Sequence, residues 1–283
     1  MDWSKSKIIL IIALVITNLI LLFYVLGNYF ALKDKTNSDE FVKETVSLLK
    51  QSGIEVDTKI PRKKIKLPTM LVEFESYDKE NLNKRFFDRN GKIEDPNSEF
   101  TRINFNKESL SIINTRRLIY ENSINITEKK DIDFNQAQNL VEMFLIDRGF
   151  DTNNMKCDYY QKSGDTVYIN YSKLYNGLVI ERSYCNFIIE NGVIVSMDRL
   201  WIRVLDKSKN DLLIDSAPKA LLKLLDMSED FYGKKIKKIE ECFYFDPEEQ
   251  GYVDDITKVM QGRAIPAWKI QFDNGTNIVV DSF

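Results

Sequence analysis

Three cysteines, three acidic pairs and one isolated amide are the side chains whose type and spacing could do chemistry on this chain. Cys157, Cys185 and Cys242 lie far apart with no C-x-x-C spacing, which argues against a thiolate metal site. The chain contains no histidine. That removes the commonest general base, the usual dyads and triads, and most zinc and iron sites. It also leaves no histidine to activate a cysteine nucleophile, so the cysteines read as small buried side chains, Cys185 within an apolar strand-like run. The pairs Glu240-Glu241, Glu248-Glu249 and Asp254-Asp255 suggest glycosidase carboxylates. Adjacent residues of a strand point to opposite faces, however, and the last two pairs fall in a charged, loop-like stretch. They read as solvated surface, and the loop from Asp246 to Asp255 lacks the spacing of an EF-hand calcium site. No catalytic residue, cofactor or metal is assigned.

The amide is Asn18, the one strongly polar side chain near the middle of an uncharged apolar run from Ile8 to Phe30. As a helix that run rises roughly 34 Å, enough for a hydrocarbon core of about 30 Å. A cleavable signal would need a shorter core and a small residue where bulky Tyr29 stands. The expectation is an uncleaved single-pass anchor in the cell membrane, with a cytoplasmic tail at 1–7 and an extracytoplasmic domain after a linker at 31–38. Ile11, Leu14, Val15, Leu21, Leu22 and Val25 share the helical face of Asn18. An amide on that face is satisfied against a partner helix, so the seven residues form the candidate partner-contact face. The competing reading is an amide merely tolerated in a lone anchor.

The rest of the chain must supply the domain outside. With 43% hydrophobic residues, 12% aromatics and a net charge of −3, it can build proper cores and lacks the basic footprint of a nucleic-acid binder. The basic cluster Arg62-Lys63-Lys64-Ile65-Lys66 reads as an exposed loop edge, with anionic wall polymers or headgroups as the alternative ligand.

Helical periodicity runs from Asp39 to Lys50 behind Ser38 as N-cap, from Asn135 to Arg148 ending at Gly149, and after Ser216 with Pro218 in the first turn. Strand-like runs follow each helix. After the first come Met70 to Phe74, Arg85 to Asp88, Arg102 to Phe105, Ser109 to Asn114 and Thr115 to Tyr120, with Asn90-Gly91 as a hairpin signal. After the second come Cys157 to Lys162, Thr166 to Leu174, Leu178 to Glu190 and Val193 to Val204. Ile236 to Phe245, Arg263 to Phe272 and Thr276 to Val280 complete the third. Trp201 and Trp268 lie in strand-like runs that suggest core packing. The expected fold class is α+β: a transmembrane helix at 8–30, then repeated helix-plus-antiparallel-sheet modules at 39–128, 129–206 and 207–283.

Three segments carry a family resemblance. They are Asp2-Trp3-Ser4-Lys5-Ser6-Lys7 running into the apolar stretch; Tyr175-Asn176-Gly177-Leu178-Val179-Ile180-Glu181 with Asn191-Gly192-Val193-Ile194; and Ala264-Ile265-Pro266-Ala267-Trp268-Lys269-Ile270 before Asn274-Gly275. On these the chain resembles the YycI family of Gram-positive bacteria, and the last two segments also resemble PepSY-type domains. The resemblance implies a non-enzymatic accessory regulator of the WalK–WalR (YycG–YycF) two-component system that controls cell-wall metabolism. Its transmembrane helix would contact the sensor histidine kinase, and its ectodomain would pair with a YycH-like protein and sense a cell-wall ligand. The alternative is a PepSY-type module that binds a cell-wall polymer or inhibits a secreted peptidase.

Overall fold

A computed structural model describes residues 3–31, 36–63, 65–126, 129–247 and 259–281, with side chains of the first helix described at 7–8 and 11–24. That helix, α1 (Trp3–Ala31), is followed by α2 (Asp39–Gln51), whose Ser38 side chain accepts the Phe41 N–H as the spacing predicts. Then come β1 (Glu55–Val56), β2 (Lys66–Phe74), α3 (Lys79–Phe87), and the meander β3 (Lys92–Asn97), β4 (Phe100–Phe105), β5 (Glu108–Ile113) and β6 (Arg117–Asn122). α4 (Phe134–Asp147) precedes β7 (Met155–Ser163), β8 (Thr166–Tyr175), β9 (Leu178–Glu190), β10 (Val193–Leu200) and β11 (Ile202–Leu213). The chain closes with α5 (Ala217–Leu222), a 3-10 turn, α6 (Ser228–Phe231), β12 (Lys235–Tyr244), β13 (Gln261–Phe272) and β14 (Asn277–Asp281).

Two expectations are corrected here. No helix among the described residues is long and apolar enough to cross a membrane. The single-pass anchor, with its cytoplasmic tail and extracytoplasmic domain, is therefore not seen. The side chains of residues 9–10 and 25–30 lie outside the described ones.

The fold class also differs. In place of separate helix-plus-meander modules, one large mixed sheet of 14 strands interleaves all three stretches; its main path runs β11-β2-β13-β12-β9-β10-β6-β5-β4-β3, with β1, β14, β7 and β8 paired off that path. β2 lies between β11 and β13. β12 joins β9 in parallel through Cys242 beside Val179 and Phe243 beside Ile180. Turn signals report which neighbours in sequence pair, and these joins link strands far apart in sequence.

Three local readings fail for identifiable reasons. Arg85 to Asp88 forms the end of α3 and not a strand. Asp78 caps that helix by accepting the Asn81 N–H at 2.8 Å, which places Leu82 and Phe87 on its buried side. Asn90-Gly91 is accordingly no hairpin turn. Asn83 holds Gly91 through both its N–H and its C=O at 2.9 Å, so close that an added Cβ would clash with Ile103, Asn83 and Phe87. The run from Val193 to Val204 is two strands, because at Trp201 the chain leaves the β9–β10 ladder to join β2.

Three cores result. α3 and α4 cover the β4–β6 and β8–β10 region, with Phe87, Phe144, Phe187 and Trp201 inside. α2 and α5 cover β12–β14 around Leu49, Leu221 and Trp268. A smaller cluster, with Val72, Ile180, Ile202 and Phe243, fills the join between them.

Candidate functional site

α1 places the expected contact residues on one face. Asn18 and the apolar Ile11, Leu14, Val15, Leu21 and Leu22 are exposed, the five apolar ones by half or more. The Val25 side chain lies outside those described. Thr17, next along the helix, bonds its hydroxyl back to the Ala13 carbonyl at 2.9 Å and is thereby satisfied. The Asn18 amide makes no hydrogen bond with the described residues.

A second site was not legible in the sequence. β9 and β12 pair over only two residues and then diverge, opening a polar cleft of about 520 Å³ between two parts of the sheet. At its apex β9 bulges. Ser172 of β8 pairs with Tyr184 but Lys173 pairs with Ile180, so Glu181, Arg182 and Ser183 leave the ladder. Arg182 takes a left-handed backbone, φ +66°, which is costly for a non-glycine residue. Its guanidinium meets Asp246 at 2.5 Å, while the Ser183 hydroxyl accepts the Ile202 N–H at 3.0 Å where the chain changes ladders.

Across the cleft, Lys269 of β13 reaches Glu181, Nζ to Oε1, at 2.8 Å with both side chains largely buried. Burial works against the Lys269 charge, but the Glu181 carboxylate more than offsets it and holds the ammonium above its ordinary value. Glu240, one half of a suspected acidic pair, meets Lys238 at 2.8 Å on the same wall. The opposite wall is built by cross-strand register: Tyr159 of β7 lies opposite Asn170 of β8, and Asn170 opposite Asn186 of β9.

Two of the remaining candidates are structural. Cys185 and Cys242 are buried and free, and burial pushes Cys185 up to about 12 and Cys242 well above the usual thiol range. Glu248-Glu249 and Asp254-Asp255 lie outside the described residues, as does Lys64 of the basic cluster, whose Arg62 pairs with Asp39. Among the described residues no group of His, Cys, Asp and Glu could hold a metal. Arg199 is 2% exposed, bonds Glu75 at 2.7 Å and lies over the rings of Phe150 and Trp201.

No family model matches the chain and no curated protein matches it. Among solved structures, an uncharacterized protein from Eubacterium rectale ATCC 33656 superposes with a TM-score of 0.53 at 9% identity, over 85% of this chain and 96% of that one. At that identity the likeness shows the fold alone. The Bacillus megaterium YpeB C-terminal domain is a weak structural neighbour, with a TM-score of 0.36 and 13% identity over 87% of this chain and 92% of that one. A score that low carries no argument.

Proposed function

We propose that this protein is a non-enzymatic accessory regulator of a WalK-type sensor histidine kinase. The Asn18 face of α1 packs against a helix of the kinase, and the sheet domain pairs with a YycH-like protein. The observation that carries the reading is Asn18 itself, an uncommitted amide centred on an exposed apolar face. Packing Ile11, Leu14, Leu21 and Leu22 against a second helix removes apolar surface from water at roughly 25 cal/mol per Å². A single amide within such a seam fixes register at some cost in stability. The identity of the partners rests on the resemblance of Asp2 to Lys7 and of the two later segments to the YycI family.

Purification of the tagged full chain from its native host, followed by identification of the bound proteins, tests this. A sensor histidine kinase and a second, similar regulator are expected together. Recovery of neither would overturn the reading.

A further inference from the structure

The cleft between β9 and β12 has no part in the regulator reading, yet it has the size and construction of a binding site. Its volume of about 520 Å³ falls within the roughly 300–1,000 Å³ of ligand pockets. The bulge at its apex places a non-glycine residue, Arg182, in a left-handed conformation, and such outliers persist where the surroundings enforce them, often at ligand clamps.

Its charges indicate what it holds. Every charged side chain lining it already has a counter-charge: Glu181 with Lys269 at 2.8 Å, Arg182 with Asp246 at 2.5 Å, Lys238 with Glu240 at 2.8 Å and Asp158 with Lys156 at 3.7 Å. An ionic ligand would have to break one of these pairs, so the walls favour neither an anion nor a cation.

The uncommitted capacity is in amides. Among the described residues the side chains of Asn170, Asn186 and Gln271 make no hydrogen bond, and each offers two donors and an acceptor. Beside Asn170, Tyr159 is 45% exposed and its ring gives a flat apolar surface. The β8 and β9 backbones are paired on both sides along this wall, so an added peptide strand finds no free ladder there.

We infer that this cleft binds an uncharged glycan segment, its hydroxyls on Asn170, Asn186 and Gln271 and a sugar ring on Tyr159. The inference gives residues to the polymer-binding alternative and is independent of the α1 contact.

The test is titration of the full chain with a panel of neutral, acidic and amino tetrasaccharides. A neutral member binds in the micromolar to millimolar range, more tightly than its charged analogues. Asn170→Ala, Asn186→Ala and Tyr159→Ala each weaken binding about tenfold or more, whereas Asn18→Leu leaves it unchanged. Because the three cleft residues are partly exposed, the variants are expected to fold, and unchanged thermal unfolding confirms that. No binding by any neutral member, stronger binding of a charged one, or cleft variants that bind as well as wild type would each overturn the inference.

Discussion

Lys269 of β13 and Glu181 of β9 stand 2.8 Å apart, a bridge between two strands that share no ladder. The contact closes the apex of the cleft and ties the α2-covered part of the sheet to the α4-covered part. Neither side chain is more than 16% exposed, so losing one partner strands the other.

Glu181→Gln is therefore expected to destabilise the protein by about 2 kcal/mol, read as a lower urea midpoint with an unchanged slope. The pH dependence has a fixed sign. The folded Lys269 titrates above its ordinary value, so its contribution is fully present below pH 10 and declines as pH rises through the folded pKa. Wild type and Glu181→Gln should differ by the same amount from pH 6 to 9. A difference that vanished on going from pH 6 to 9 would contradict the ion pair.

Glu75→Ala should cost more. It leaves Arg199, 2% exposed, without its carboxylate, and breaking a buried pair costs about 3–5 kcal/mol. Joint replacement of Glu75 by Leu and Arg199 by Met should recover much of that loss, because the two charges are removed together. A Glu75→Ala variant as stable as wild type would show that Arg199 is held by its aromatic neighbours alone.

Thiol reactivity checks the buried placement of Cys185 and Cys242. With Cys185 pushed up to about 12 by burial and Cys242 also well raised, only about one Cys185 in ten thousand is thiolate at pH 8. A disulfide reagent at pH 8 should modify native Cys157 first and slowly, since its thiol is raised as well. Cys185 and Cys242 should react only on unfolding. Rapid labelling of all three without denaturant would contradict the buried placement.

Local signals were legible and long-range ones were not. Ser38 was legible as the N-cap of α2, and its side chain accepts the Phe41 N–H. β9 spans Leu178 to Glu190 as its turn-bounded apolar run predicts. α3 was missed because Phe86-Phe87 looks like a strand unless Asp78 is recognised as a cap. The cleft was missed because Asn170, Asn186 and Gln271 meet only through register and through the two-residue join of β12 to β9. One signal was available. Glu181-Arg182-Ser183 interrupts an otherwise largely apolar alternation, and no glycine marks the bulge that it forms.

The central claim is that one face of α1 meets a sensor kinase, and site-specific photo-crosslinking in living cells tests it directly. A photoreactive residue placed at Leu14, Asn18 or Leu21 should form an adduct with the kinase, whereas one at Ile16, Ile20 or Phe23, on the opposite face, should not. In parallel, Asn18→Leu should weaken the association by about fivefold, since loss of one polar contact is worth about 1 kcal/mol. Equal adducts from both faces, or none with a kinase from either, would contradict the account.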